Sequence, residues 1–298
     1  MKNVKSKKYK LIRDKNKVLT LNPMPNEIEL DNFYKKKYYQ KNYGTYKISK
    51  YEKDEDEYNK LEAKIVNYFF NKKMKILDIG CGEGHDLKYF YQNKHTCFGL
   101  DYSDFGIKKH NKYLLKKIKF YKGNILDNQF FINEKFDVVY SKNFAEHVSN
   151  YYGFLKIIKS RLKKNGLLVL IVPNELNKFQ LEYMRKNKIK KFEHSKFFAP
   201  IEHLRYFQPN TLVNSVKSIF KKMEIVSLMT SYPIEQFLLV DDSNYYKKRF
   251  FGKIAHKVRI GYMNNIFKQV NKNLVNYMEA TAGIGIGRSI ILIIKKND

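Results

Sequence analysis

Five short apolar runs, 74–79, 96–100, 118–122, 136–141 and 166–172, recur through the middle of the chain, separated by stretches that carry helical or turn signals. None alternates with a polar face, which is the pattern of parallel strands covered on both sides rather than of a half-solvated antiparallel sheet. Strands that alternate with helices in this way restrict the chain to an open, doubly wound α/β sheet, whose ligands bind beyond the carboxyl ends of the strands. The first run, MKILDI, opens directly into the turn Gly80–Gly84 and a helix through about Asn93, so that turn marks the binding end.

The turn reads ILDIGCGEGHD over 76–86. A dinucleotide fingerprint needs G-x-G-x-x-G, but here the spacing is G-x-G-x-G, with His85 at the third fingerprint position, and no Gly-Lys-Ser/Thr follows to make a phosphate loop. The flanking acids are more informative. Asp78, two residues before Gly80, would repel a pyrophosphate and suits an ammonium group. Asp101, at the end of the second strand and 101 − 80 = 21 residues after Gly80, is placed to accept two ribose hydroxyls. A ligand with a ribose and a cation but no phosphate is S-adenosylmethionine.

At these residues the chain resembles the class I S-adenosylmethionine-dependent methyltransferases, in their small-molecule and glycan branch. LDIGCGEG is similar to the first motif of that family, GLDYS to its second-strand acid, and YKGNILD to the segment beside adenine. FDVVYSKNFAEHV is similar to its fourth strand, LKKNGLLVLIVPN to its fifth, and HLRYFQPNTL to a later stretch. The resemblance implies a Rossmann-like, mostly parallel seven-stranded sheet with an antiparallel last strand and helical insertions. It also implies S-adenosylmethionine as cofactor. Gly80, Cys81 and Gly82 would pass the methionyl part, Asp78 would orient its amino group, and Asp101 with Tyr102 beside it would hold the ribose. Asn124 and Ile125 would flank the adenine edge, and the carbonyls from Ser141 onward would complete the pocket. The family often carries Asp where this chain has Asn124, and nearby Asp127 is the alternative for that role.

Methyl transfer to a hydroxyl gains from a base that removes the proton. The candidates are His203, in EHLRYF, and His147, in AEHV after the fourth strand, with Glu146 beside the latter. His147 alternatively orients its loop through a backbone hydrogen bond, and His203 alternatively ties the insertion to the sheet. Some quinone-biosynthesis relatives with a similar Glu-His segment use a divalent ion, but they carry a further acid where this chain has Asn143, so no metal is expected.

The expected layout is an N-terminal arm or cap over 1–60 and one domain over 61–298, with an irregular aromatic insertion at about 174–208 and an added helical segment at about 241–282. A helix is expected over Tyr58–Phe70, and Ser103 is the expected N-cap of a helix over Ile107–Leu115. GIGIGRS, 283–289, precedes a strand instead of opening a helix and reads as a tight turn. Of 58 basic residues only 7 are arginine, so the formal charge of +29 rests on 58 − 7 = 51 lysines. Arginine dominates base readout, so a lysine excess reads as a solvated surface rather than as a nucleic-acid face. Two cysteines without metal spacing, no apolar leader and no long apolar run place the chain in the cytoplasm.

The expected activity is O-methylation of a small molecule, sugar or glycan intermediate of surface-polysaccharide type. The last element rests on the similarity of SYPIEQFLLVDDSNYYKKR, 231–249, together with GIGIGRS, 283–289, to the C-terminal region of such bacterial enzymes. An RNA methyltransferase is the alternative that the charge favours, but Ser141-Lys142-Asn143-Phe144 stands where a base-methylating enzyme carries an Asn-Pro-Pro-Tyr-like slot. A non-catalytic scaffold that retains the fold is the remaining alternative. Oligomeric state does not follow from the residues.

Overall fold

The computed structural model describes residues 8–33, 50–231 and 260–298. Its strands in chain order are β1 (Lys10–Arg13), β2 (Leu19–Asn22), β3 (Lys75–Ile79), β4 (Thr96–Asp101), β5 (Lys119–Lys122), β6 (Phe136–Lys142), β7 (Leu162–Pro173), β8 (Arg205–Tyr206), β9 (Met223–Ser231) and β10 (Ser289–Lys296). Seven of them form one sheet in the order β5-β4-β3-β6-β7-β10-β9. Pairing is parallel from β5 to β7, whereas β10 runs antiparallel to both β7 and β9. The chain builds β3, β4 and β5 outward to one edge and then returns to β6 on the other side of β3. The carboxyl ends of β3 and β6 therefore flank the switch-point crevice.

The helices are α1 (Glu27–Phe33), α2 (Lys53–Tyr58), α3 (Leu61–Asn67), α4 (His85–Gln92), α5 (Phe105–His110), α6 (Tyr151–Arg161), α7 (Lys178–Lys186), α8 (Pro209–Lys217), α9 (260–266) and α10 (Lys272–Gly283). Strand side chains alternate between two cores. Leu77, Val139, Leu168, Leu170 and Leu292 pack with Phe154 and Leu155 of α6 and Leu212 and Val216 of α8. Ile76, Val138, Val169, Ile171 and Ile291 pack with Ile65 of α3, Leu87 of α4 and Met278 of α10. Burial on both faces explains why the strands read as unbroken apolar runs. Among the described residues no helix is long and apolar enough to cross a membrane.

A second, three-stranded sheet orders as β1-β2-β8. The hairpin β1–β2 comes from the N-terminal arm, and Leu19 and Thr20 pair with Tyr206 and Arg205 of the insertion. Tyr9, Leu21 and Leu204 form one small core under it; Met184, Phe192 and Tyr206 form another. The arm and the insertion, far apart in sequence, thus build one cap.

Local expectations fail in three places. Asp104 rather than Ser103 occupies the N-cap position of α5, with Ser103 Oγ accepting from Phe105 N at 3.2 Å. That helix stops at His110 because Asn111 leaves helical geometry and donates its side-chain amide to Glu83 O at 2.8 Å. The helix expected over 58–70 is only α3, and the 174–208 insertion contains α7. The signal for α7 was present: Asn177 caps it by accepting from Gln180 N at 2.9 Å, an N-cap followed three residues later by Gln.

Candidate active site

The glycine turn is a left-handed loop held to the next strand. Gly80, Gly82 and Gly84 have φ of +74°, +51° and +76°, a region that favours glycine because a Cβ crowds the backbone. Gly80 N and Cys81 N both donate to Leu100 O, at 2.8 and 3.2 Å. Asp101 Oδ2 accepts from Gly82 N at 2.8 Å and Oδ1 accepts from Ser103 N at 2.9 Å, so the acid also braces the loop. A Cβ built on Gly80 would lie 2.3 Å from Phe144 Cδ2, whereas one on Gly82 would meet nothing within 4 Å. The loop is closed on one side by Phe144 and open at Gly82.

Asp78 is 2% exposed, and its pKa is pushed well above the usual carboxylate range, first by burial and then by the charge of Asp86. A cationic ligand group at this place would reverse that shift. Burial likewise raises Asp101 and, strongly, the Cys81 thiol. Ser141 and Ile125 are buried at the same end of the sheet, and Tyr102 is exposed. Asn124 is exposed and caps the short helix Ile125–Asp127, with its Oδ1 accepting from Leu126 N at 3.0 Å, so one lone pair of that oxygen is already committed. These residues fit S-adenosylmethionine: an acid for the ammonium, an acid for the ribose, and an open cradle at Gly82 between them.

Directly after Phe144, the short helix Ala145–His147 carries the candidate catalytic residues Glu146 and His147. Glu146 is 1% exposed, and among the described residues neither carboxylate oxygen has a hydrogen-bond partner. His147 Nδ1 donates to Glu202 O, and Nε2 lies 3.6 Å from Glu146 Oε1. His203 packs edge-on to His147 with ring centroids 5.2 Å apart, and its Nδ1 lies 3.5 Å from Glu175 Oε1. The insertion is stitched here by backbone: Leu204 N donates to Glu146 O at 2.9 Å, and the Arg205 guanidinium donates to Val148 O and Ser149 O. Burial, with His203 beside it, holds His147 down to about 3. His203, though half-buried, is raised by Glu175 and Glu146, and burial raises Glu146 to about 7.

Glu146 leads to a stability prediction. Its folded pKa exceeds the unfolded value of 4.5, so the fold favours the protonated acid, and the contribution is lost as pH rises from about 4.5 through about 7. Glu146→Gln keeps the shape without the charge. It is expected to stabilise the protein at pH 8 by about 2 kcal/mol and to change little at pH 5, as read from denaturant midpoints. Equal stabilisation at both pH values would disprove the burial of an ionisable acid here.

Glu146, His147 and His203 also each offer a ligand atom within 4.8 Å of the others. The sequence led to no expected metal, yet these three can hold a divalent ion, one ligand coming from the insertion where the Glu-His relatives use an acid that is Asn143 here. Sequence reasoning missed Glu175, which is buried, follows β7 directly and is fixed by Gln180 Nε2 at 2.8 Å. An acid just past a strand's carboxyl end was the available signal. It also missed Lys142, whose Nζ lies 2.6 Å from Asp86 Oδ2 and 3.5 Å from Glu62 Oε2, and Tyr51, whose hydroxyl donates to Glu83 Oε2 at 2.7 Å and so links the segment before α2 to the glycine loop.

Comparison with known proteins agrees with this geometry. Residues 51–218, more than half of the chain, match the family model described as a methyltransferase domain. A sterol 24-C-methyltransferase of Debaryomyces hansenii is 31% identical over 103 residues, which are 33% of this chain and 27% of that protein, so the chain matches only about a quarter of its length. Among solved structures, the PH0226 protein of Pyrococcus horikoshii OT3 superposes with a TM-score of 0.50 at 14% identity, covering 87% of this chain and 99% of the other. The O-methyltransferase of a trans-AT polyketide synthase multienzyme of Brevibacillus brevis, in complex with S-adenosyl-L-homocysteine, gives 0.49 at 14% identity, covering 80% and 71%. The family match, on a sheet whose switch point carries Asp78, the glycine loop and Asp101, identifies the chain as a member of the methyltransferase domain family, a class I S-adenosylmethionine-dependent methyltransferase.

Proposed function

We propose that the enzyme methylates a hydroxyl of a small molecule, specifically a sugar or glycan intermediate of surface-polysaccharide type in the cytoplasm, and that His203 is the base. The observation that carries the reading is the cluster of buried Glu146 and Glu175 with half-buried His203, next to Phe144, which packs on the glycine loop. When bound, S-adenosylmethionine supplies a methyl group made electrophilic by its sulfonium. Asp78 would hold the ammonium, Asp101 the ribose, and the backbone from Gly80 to Gly82 would pass the methionyl chain. His203 would take the proton of the acceptor hydroxyl as its oxygen displaces the sulfonium sulfur from the methyl carbon, leaving a neutral thioether, and Glu146 and Glu175 would stabilise the imidazolium. His147, committed through Nδ1 to Glu202 O and held neutral, positions the insertion. The aromatic cap over the site supports a ring-shaped acceptor, with His203 5.9 Å from Tyr206, which in turn stacks on Phe198. The glycan element rests on the resemblance of 231–249 and 283–289, of which 232–249 lie outside the described residues.

The test is transfer of labelled methyl from S-adenosylmethionine to a panel of nucleotide sugars, glycan fragments and RNA, with and without EDTA. Methylation of a sugar hydroxyl that survives EDTA supports the base. Loss of turnover with EDTA, restored by a divalent ion, transfers the role of Glu146, His147 and His203 to metal binding. Methylation of RNA alone would remove the small-molecule reading.

A further inference from the structure

Away from the cofactor crevice, the turn Asp14–Val18 and the end of α8 border a shallow, open groove of about 390 Å³ lined by Lys15, Asn16, Lys17, Asn214, Lys217, Ser218 and Lys221. We propose that this groove is an anion site for a diphosphate group carried by a small molecule.

Three observations support it. The first is that these lysines lack acids. Some lysines elsewhere are paired, Lys60 and Lys64 with Glu57, Lys88 with Asp56, and Lys142 with Asp86. Among the described residues none of the four groove lysines has a carboxylate partner within ion-pair distance, and four like charges converging on one concavity favour an anion between them.

The second is preorganisation. Asp14, the acid nearest in the turn, is already committed: Oδ1 accepts from Asn16 N at 2.8 Å and Val18 N at 3.0 Å, and Oδ2 accepts from Tyr152 OH at 2.6 Å. Asn16 Nδ2 donates to Tyr152 OH at 2.7 Å and approaches Ser218 Oγ at 3.4 Å, joining two segments 202 residues apart. Val18 is fully buried in the main core, and Lys17 holds a left-handed φ of +65°. The turn that carries Lys15 and Lys17 is therefore fixed to the domain. Lys217 alone would be explained by the α8 carboxyl end, where cations are favoured, but that does not place the two lysines of the turn opposite it.

The third is the chemistry of the lining. Ammonium groups act as point charges toward phosphate oxygens and read no base edge. Tyr152 is covered by Lys15, whose Nζ lies 5.4 Å from the ring centroid, so no open aromatic platform lines the groove as stacking of single-stranded nucleic acid requires.

The test is calorimetric titration of the full chain with inorganic pyrophosphate, in wild type and in a Lys17→Ala/Lys221→Ala variant. S-adenosylhomocysteine affinity and thermal midpoint serve as controls for folding. Saturable binding of one pyrophosphate, weakened at least about tenfold in the variant and by added salt, is the expected result. No saturable binding, or equal binding by the variant, overturns the proposal. A uridine oligonucleotide that binds the wild type but not the variant, and that pyrophosphate fails to displace, overturns it in favour of an RNA face.

Discussion

Gly82→Leu is expected to weaken binding of S-adenosylmethionine and of its demethylated product at least a hundredfold, about 2.7 kcal/mol, while the protein still folds. The two parts of this expectation have separate causes. A side chain at φ +51° carries strain of about 1–2 kcal/mol, small against a large core, and no atom within 4 Å of the new Cβ forces the surroundings apart. That open space is where the proposed site would pass the methionyl chain, because Phe144 already fills the approach over Gly80. Calorimetry with the demethylated product, beside a thermal melt, measures both. Unchanged affinity in a folded variant would place the cofactor elsewhere. Gly80→Ala should behave differently and lower the melting point as well, since its Cβ would land 2.3 Å from Phe144 Cδ2.

The second large effect is expected at His203. His203→Ala should lower turnover on the confirmed acceptor by about a hundredfold or more, with cofactor affinity nearly unchanged, because the ring belongs to the acceptor half of the site. Its pKa is raised above 6.5 by Glu175 and Glu146 against the opposing effect of burial. A base must be unprotonated to work, so turnover should rise with pH through that raised value, and the alanine variant should lose this limb. The stability sign is opposite: the protonated ring is stabilised in the fold, so its contribution is complete below the unfolded pKa and fades as pH climbs through the folded one. Glu175→Gln should shift the limb to lower pH, whereas His147→Ala should act mainly by loosening the insertion where His147 Nδ1 holds Glu202 O. A variant at His203 that retained both the rate and the pH limb would leave the base unassigned.

The cofactor half of the site was legible because its residues are local in sequence. A strand, a left-handed loop and the acid of the next strand lie within Ile76–Asp101, and each proposed role follows from a residue type at a fixed spacing: glycine where φ is positive, carboxylate where a strand ends at the switch point. The parallel sheet was legible for the same reason, since burial on both faces leaves an unbroken apolar run in the sequence. Helix ends were less so. Asn111 stops α5 by bonding to Glu83 O, a contact between segments that no local propensity reports.

The acceptor half belongs to tertiary structure. His203 and Glu146 are far apart in sequence, and they meet because Leu204 N bonds to Glu146 O and Arg205 reaches the carbonyls of Val148 and Ser149. Glu175 enters only when the chain after β7 meets the insertion, its N donating to Phe207 O and its carboxylate facing His203. The opposite charge behaviour of two neighbouring histidines in this cluster is likewise decided by surroundings: burial and the adjacent His203 lower His147, whereas Glu175, Glu146 and Glu202 raise His203 against its burial. The cap is of the same kind, for nothing in Leu19–Asn22 says that it will pair with Arg205–Tyr206. What the sequence determined by itself was the sheet and the cofactor it serves, because hydrophobic period and backbone conformation are local properties. What only the tertiary structure decided was which distant side chains share a buried volume, and with it their charge, because burial and electrostatic neighbours are set by the packing of the whole chain.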